Sequence, residues 1–222
     1  MEQPQTQPQP IPESLQELLA QIGKIHNTSS TQSAHVLTSS IRTLNEMLTD
    51  RGYEHIRNCN TLSEIIACMA DQTPVVVGAA RQTLLTVRVF FHNEERVGVK
   101  HVRARVEALP GDAIVFVSLA GPTSFTRKEV EQSYPHVHFF TFQQVCVNIT
   151  RHHMVPRHER MTEAQIGALH FLEDADALPR LYTNDPVAQY YGYVVGDVVR
   201  IARVVGTQEP MYYYRRVCSP PA

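Results

Sequence analysis

The sequence predicts a two-domain protein: an N-terminal α/β domain, then a small α+β domain with an antiparallel sheet. The 222 residues suffice for one or two domains of about 100–200 residues each. With 43% apolar and 19% charged residues, the chain has the composition of a folded protein. Strand and helix patterns alternate over 83–142, whereas short capped helices and two strand patterns follow residue 150.

The first fifty residues predict a tail and two helices. Residues 1–10 alternate Gln and Pro and have almost nothing to bury, which predicts disorder. Apolar residues at helical spacing predict a helix over 11–26, and the polar run 27–34 predicts a flexible linker. A second apolar stripe predicts a helix over 36–48, with Gly52 as its C-terminal stop.

The next segment predicts an α/β layer. β-Branched and aromatic residues over 83–91 predict a strand, and helical spacing returns over 97–109. The almost continuously apolar run 113–120 predicts a strand buried on both faces. Residues 123–133 then predict a helix and residues 136–142 a third strand, so we expect partly parallel pairing.

The last third predicts short helices and an antiparallel pair of strands. Thr162 and Gln165 fit a capping box at the start of a helix that continues to residue 172. Strand patterns follow over 198–204 and 211–217.

A further short helix lies between these segments. Asp185 and Pro186 fit its N-cap and first helical residue, and Gly192 fits its end. We place the boundary between the two domains near residues 143–150, where the pattern changes.

Composition excludes several classes of protein. A formal net charge of −2 argues against a histone-like polycation. Four cysteines stand far apart without a CxxC pair, which favours reduced thiols over a zinc knuckle or a disulfide framework. The N-terminus lacks a secretory signal pattern, and no stretch approaches the roughly 20 apolar residues of a membrane span. We therefore expect a soluble intracellular protein with no membrane partner.

Catalytic motifs are missing from the sequence. It contains neither the phosphate-binding patterns GxxxxGK[ST] and GxGxxG nor the GxSxG elbow of hydrolases. Ser118 lies at a predicted strand end, but nothing nearby is a candidate for its base, so a structural role is favoured. We therefore expect no catalytic residues.

Five histidines raise the question of a metal site. His136 and His138 share one face of a predicted strand, and His152, His153 and His158 follow. A zinc site can be assembled from such residues, but no HExxH or other ligand spacing accompanies them. Ordinary hydrogen-bonded histidines are the favoured interpretation, so no metal and no cofactor are expected.

Basic residues collect on the predicted helix over 97–109. Lys100, Arg103 and Arg105 are close enough in sequence to lie near one another. Such a face is able to contact a phosphate backbone without distinguishing base sequence. The alternative is a solvated helix face, and this feature alone favours that alternative.

Two stretches, VNITRHHMVPRHERMT (147–162) and LPRLYTNDPVAQYYGYVVGDVVRI (178–201), resemble a known family. The resemblance is to the fifth-largest subunit shared by the eukaryotic nuclear RNA polymerases, whose C-terminal domain matches a small subunit of the archaeal polymerase. The positions that match in order and spacing are Asn148, Ile149, Thr150, His152, Val155, Pro156, His158, Leu178, Pro179, Arg180, Asp185, Pro186, Val187, Ala188, Tyr190, Gly192, Gly196, Val198, Val199, Ile201, Tyr214, Arg215 and Val217.

The resemblance extends to the family's N-terminal jaw domain, which the archaeal protein lacks. LTDRGYE (48–54) and VFFHNEERVGVKHV (89–102) resemble the jaw's first helix end and its strand, turn and helix. Having both domains makes this the eukaryotic type or a large-virus relative of it. The organisation that we expect is tail, extra helix and linker over 1–34, jaw over 35–144 and assembly domain over 145–222.

The resemblance implies a structural role in transcription. In the family, the C-terminal domain docks on the largest polymerase subunit, and the jaw lies beside downstream double-stranded DNA and offers a surface to transcription regulators. The resemblance thus implies that the partners are other polymerase subunits and that contact with DNA is weak and non-specific. It also implies a location in the nucleus, with the nucleolus as a further option. The residues that the resemblance implies for docking on the polymerase are His152, Pro156, His158, Arg180, Asp185, Pro186, Tyr190, Gly192, Arg200, Tyr214 and Arg215. The resemblance also makes four residues candidates for contact with downstream DNA: Lys100, Arg103, Arg105 and Thr123.

Departures from the family pattern predict a divergent paralogue. Acidic residues in the segment 173–176 replace a usually basic stretch, and Val-Val-Gly-Thr at 204–207 replaces a Pro-Ser-Glu-Thr loop. Changed surface chemistry of this kind suits a subunit committed to one polymerase, with neutral divergence as the alternative. For the function, the alternative is a free adaptor with the same fold that binds transcription regulators outside the polymerase.

Overall fold

The chain folds as two compact units, each with its own β-sheet. The first unit ends at Val147 and the second begins at Asn148. A computed structural model describes residues 20, 22, 30–80, 85–169, 177–204 and 209–221. Helices and strands are present in both units, which confirms the predicted α+β class. Within these ranges, no helix combines the length and the apolar character that a membrane crossing needs.

The first unit is a mixed sheet with helices. Its helices are α1 (Ser30–Asp50), α2 (Leu62–Ala70), α3 (Val99–Ala108), α4 (Ser124–Ser133) and α5 (Phe142–Val145). Its strands are β1 (Tyr53–Asn58), β2 (Val76–Ala80), β3 (Thr86–Phe91), β4 (Ala113–Ser118) and β5 (Val137–Thr141).

The sheet order β1-β2-β3-β4-β5 follows the sequence order. β1, β2 and β3 pair antiparallel, whereas β3, β4 and β5 pair parallel, so the predicted partly parallel pairing is confirmed. β4 is buried along almost its whole length, as its continuous apolar run predicts. Phe90, Ile114 and Phe116 form a core with Val102 of α3 and Val130 of α4, which cover one face of the parallel strands.

The helix α1 begins earlier than predicted. Residues 30–34 are helical, although their polar sequence predicts a linker. The buried hydroxyl of Ser40 in α1 is satisfied within the helix, because its Oγ donates to the Val36 carbonyl at 2.8 Å. Gly52 ends the segment with a φ of +86°, as predicted. The predicted tail, the helix over 11–26 and the start of the linker lie outside the described residues, apart from 20 and 22.

Three elements between residues 53 and 80 were not predicted. They are β1, α2 and β2, which together extend the sheet by two antiparallel strands. The signal for α2 was present in the sequence, because Thr61 and Glu64 form a capping box at its start.

The second unit is a four-stranded sheet with short helices. It contains a 3₁₀ turn (Ile149–Arg151), β6 (Arg157–Arg160), α6 (Glu163–Gly167), β7 (Arg180–Tyr182), α7 (Pro186–Tyr191), β8 (Val198–Arg203) and β9 (Met211–Cys218). The sheet order is β6-β8-β9-β7.

Two predictions for this unit need correction. The sheet is not wholly antiparallel, because the three-residue strand β7 pairs parallel with β9. The helix α6 begins at its predicted capping box but ends at Gly167, so residues 168 and 169 are not helical. Residues 170–172 of that prediction lie outside the described part of the chain.

The structure confirms the predicted start and end of the helix α7. Asp185 Oδ1 accepts hydrogen bonds from the backbone N–H groups of Val187 and Ala188 at 2.8 and 3.3 Å. Pro186 occupies the first turn, and Gly192 closes the helix with a φ of +66°. A helix of under two turns is marginal by itself, so it depends on these ends and on the packing of its buried side chains.

The N-cap of α7 provides a test of this account of the second unit. Asp185→Ala should lower the free energy of unfolding by about 0.5–2 kcal/mol, because two N–H groups lose their acceptor. Asp185→Asn is the matched control, since asparagine caps equally well. We expect faster amide hydrogen exchange over residues 187–193 of the full chain in Asp185→Ala only. Equal exchange in both variants would contradict the capping role.

Candidate functional site

The strand β8 has two faces with different surroundings, because alternate residues of a strand point to opposite sides. Val199 and Ile201 lie in the unit's core with Val217. On the opposite face, Val198 packs against Met161 at the end of the sheet near α6. Beyond Val198 the opposite face is open.

That open part of the sheet forms a groove, which we call the β8 groove. Its volume is about 800 Å³, and its walls come from the segment 153–156 and from β6, β8 and β9. The lining includes Met154, Pro156, Arg157, Arg200, Ala202 and Tyr212. Exposed apolar side chains mark its edge: Met154 is 73%, Val204 67% and Tyr212 51% exposed. An apolar surface of this kind is typical of a protein interaction site.

The charge of the β8 groove is predominantly positive. Arg200 donates to Glu159 Oε2 at 2.8 Å, and its guanidinium lies over the Tyr212 ring at 5.1 Å. This hydrogen bond lowers the pKa of Glu159, so that carboxyl stays ionised. Arg157 and Arg203 also line the groove, which leaves positive charge in excess beside aromatic and apolar surface. Such a surface suits an acidic segment that also carries apolar side chains.

Four of the predicted docking residues form the fold of the second unit. Asp185, Pro186 and Gly192 define the ends of α7. Tyr190 is only 4% exposed, and its hydroxyl accepts a hydrogen bond from Asn148 Nδ2 at 3.0 Å. The structure assigns these residues to internal contacts, whatever further role they have in docking.

The remaining predicted docking residues do not share one surface. Pro156 and Arg200 line the β8 groove, and His152 lies on the adjoining exposed segment. Arg180 is exposed on β7, where its carbonyl accepts a hydrogen bond from the Arg215 guanidinium at 2.8 Å.

Two of the set are half-buried side chains of the sheet. His158 contacts the Pro156 carbonyl through Nδ1 at 2.7 Å, and burial lowers the pKa of its imidazole. Tyr214 packs against the pair Met161 and Val198.

The predicted DNA contacts of the jaw are divided between two sides of α3. Lys100 and Arg103 are exposed, and Arg103 forms an ion pair with Glu129 at 2.7 Å. Arg105 instead bonds to the Gln72 carbonyl at 2.6 Å, on another side of the helix, because 100° of rotation per residue separates it from both. The three basic residues therefore do not form one patch.

Thr123 has a structural role at the start of α4. Its Oγ1 accepts the backbone N–H of Thr126 at 3.2 Å, which makes it the N-cap of that helix. The hydroxyls of Thr123 and Thr126 lie 2.8 Å apart.

The fold brings together three potential metal ligands that were not considered as a site from the sequence. In the described part of the chain, the group of three such side chains is His92, Glu94 and His101, whose ligand atoms all lie within 4.8 Å of one another. None of the histidines weighed in the sequence, His136 and His138 among them, belongs to it. The only sequence signal was the pair His92-x-Glu94 at the end of a predicted strand.

His92 occupies the most buried position of this group. It directly follows β3, and its backbone N–H donates to the Val117 carbonyl at 2.7 Å. Burial lowers the pKa of His92 to about 4, and the nearby His101 adds to the effect. The imidazole is therefore neutral at physiological pH, with a lone pair on one ring nitrogen.

Comparison with known proteins shows what the second unit resembles. Residues 147–217 match the family described as RNA polymerase Rpb5, C-terminal domain. Subunit Rpo5 of the DNA-directed RNA polymerase of Methanosarcina acetivorans is 40% identical over 68 residues, or 30% of this chain and 87% of the archaeal protein. The fold and these matches define a two-unit α+β protein with an RNA polymerase subunit domain at its C-terminus.

Two eukaryotic relatives match more of the chain. Both are named as subunit RPABC1 of DNA-directed RNA polymerases I, II, and III. The Caenorhabditis elegans protein is 32% identical over 137 residues, which is 58% of this chain and 64% of the nematode protein. The Dictyostelium discoideum protein is 27% identical over 194 residues, or 78% of this chain and 93% of the relative. The chain belongs to the Rpb5 family of RNA polymerase subunits, as a divergent member.

Proposed function

We propose that this chain is a non-catalytic structural subunit of a nuclear DNA-directed RNA polymerase. The observation that carries the proposal is the agreement between the matched residues 147–217 and a compact unit that begins at Asn148. The eukaryotic relatives named as subunits of polymerases I, II and III support the nucleus as the location.

We further propose that the β8 groove is where the largest polymerase subunit docks. The groove combines exposed apolar side chains with an excess of arginine, and tyrosine and arginine are the residues that most often dominate binding energy at interfaces. Its expected occupant is an acidic segment of the largest subunit with apolar side chains. Of the docking residues carried over from the family, Pro156 and Arg200 line this groove.

The first unit is proposed to lie beside downstream DNA through the exposed side of α3. Lys100 and Arg103 are the two exposed basic residues that one turn of the helix brings together. The ion pair of Arg103 with Glu129 reduces its contribution, so Lys100 is expected to contribute more. Contacts of this kind would be non-specific, because phosphates carry no base sequence.

Isolation of the tagged chain from its cells tests the central proposal. The two largest polymerase subunits should be recovered in stoichiometric amounts. The double variant Arg157→Glu/Tyr212→Ser should lower that recovery at least about tenfold, because both side chains lie in the β8 groove. Both are exposed, so the variant should fold normally.

The matched control is Arg57→Glu, which reverses an exposed charge on β1 in the other unit. It should leave recovery unchanged. Full recovery with the groove variant would contradict docking through the groove. Recovery of transcription regulators without the large polymerase subunits would instead support the free adaptor.

The DNA contact predicts a change in the salt dependence of binding. In a titration of the full chain with duplex DNA, Lys100→Ala/Arg103→Ala should lower the slope of log affinity against log salt by about one unit per lost phosphate contact. The decrease should be the same for unrelated DNA sequences, and Arg57→Ala should leave the slope unchanged. An unchanged slope in the double variant would assign both residues to a solvated surface.

A further inference from the structure

We propose that His92, Glu94 and His101 form a binding site for a divalent transition-metal ion, for which Zn²⁺ is the best match. The site lies in the first unit, where the carboxyl end of the parallel strand β3 meets the first turn of α3. It is independent of the docking surface in the second unit.

The two histidine–glutamate distances are close to those that a zinc ion needs, and the ligand atoms of all three side chains lie within 4.8 Å of one another. Zinc holds imidazole nitrogen and carboxylate oxygen at about 2.0–2.2 Å, so neighbouring tetrahedral ligands lie about 3.3–3.6 Å apart. His101 Nε2 and Glu94 Oε1 are already 3.3 Å apart. His92 Nε2 and Glu94 Oε2 are 3.9 Å apart, and the exposed Glu94 side chain would have to move closer to His92 on binding an ion.

The buried nitrogen of His92 gives an independent reason to expect a ligand. His92 is 7% exposed, and its Nε2 is buried without a hydrogen-bond partner. A buried polar atom that is left unpaired destabilises a protein, and few such atoms occur in native structures. Coordination of a metal ion by the Nε2 lone pair would satisfy this atom.

Two ligands are fixed and the third is adjustable. The backbone of His92 is held by its bond to Val117 on β4, and His101 sits in the first turn of α3, where its N–H donates to the Gly98 carbonyl at 3.1 Å. The two imidazole rings lie edge to face, with centroids 4.6 Å apart. Glu94 is 53% exposed, so it is free to close over an ion that the histidines present to it.

The site has room for a fourth ligand from solvent. A cavity of about 150 Å³ adjoins His92 and His101. Because a water molecule occupies about 30 Å³ in the liquid, the cavity is able to hold water at the open coordination position. Arg105 also lines this cavity, and its charge opposes a cation, although its hydrogen bond to the Gln72 carbonyl holds the guanidinium.

The ligand set selects among metal ions. Two imidazole nitrogens and one carboxylate are a common zinc combination, whereas Mg²⁺ and Ca²⁺ prefer sites built from oxygen. A bound ion would link the 92–98 loop to α3, the helix that carries Lys100 and Arg103.

Zinc titration of the full chain, stripped of metal with a chelator, tests the proposal. We expect binding of a single Zn²⁺ per chain in competition with a chromophoric chelator, and no competition from Mg²⁺. Glu94→Gln and His101→Ala should each weaken zinc binding at least about tenfold, since even outer-sphere changes have effects of that size. Glu94 is exposed, so Glu94→Gln should fold normally.

The second unit offers a matched control in His152 and His153, whose ring centroids also lie 4.6 Å apart. The variant His152→Ala/His153→Ala should bind zinc as the unaltered chain does. The thiols of Cys59 and Cys68, with Sγ atoms 3.3 Å apart, are the competing site, so Cys59→Ser/Cys68→Ser should also retain zinc. Substitution by Co²⁺ should give absorption without a thiolate charge-transfer band. Unweakened zinc binding in Glu94→Gln and His101→Ala, loss of zinc in the cysteine variant, or no zinc binding by the unaltered chain would overturn the proposal.

Discussion

The fold of the second unit depends on how the side chains of β8 alternate between the core and the opposite face of the sheet. This strand pairs with β6 on one side and β9 on the other, and the same six residues supply both the core and the β8 groove. A shift of its register by a single residue would move Arg200 into the core and Val199 to the open face. The groove is therefore specified by the same pattern that makes the domain fold, which explains how a small domain maintains a defined surface.

The short helix α7 completes this arrangement through a buried hydrogen bond. Asn148, at the start of the unit, donates from Nδ2 to the Tyr190 hydroxyl, and its Oδ1 accepts from the backbone and hydroxyl of Thr150. Because its amide groups are paired on both sides, Asn148 can be buried without an unpaired polar atom. The bond attaches α7 to the beginning of the second unit.

Elements with local signals could be predicted from the sequence, and elements that depend on distant pairing could not. The ends of α7 are set by Asp185, Pro186 and Gly192, which act within the helix itself. The strands β6 and β7, of four and three residues, exist only because β8 and β9 pair with them. The cluster around His92 was missed for a similar reason: the turn between β3 and α3 brings His101 back to residues seven and nine positions earlier. The family resemblance identified the right protein class, but it carried over buried residues such as Tyr190 together with exposed ones such as Arg180.

The central claim is that the β8 groove is covered in the assembled polymerase. Hydroxyl-radical footprinting with mass spectrometry measures this directly, because methionine and aromatic side chains are oxidised where solvent reaches them. We predict that oxidation of Met154 and Tyr212 falls strongly between the free chain and the purified polymerase. Phe125, which is 64% exposed on α4 in the other unit, provides the internal reference and should change little. Equal oxidation of Met154 and Tyr212 in the two states would contradict docking of the polymerase in this groove.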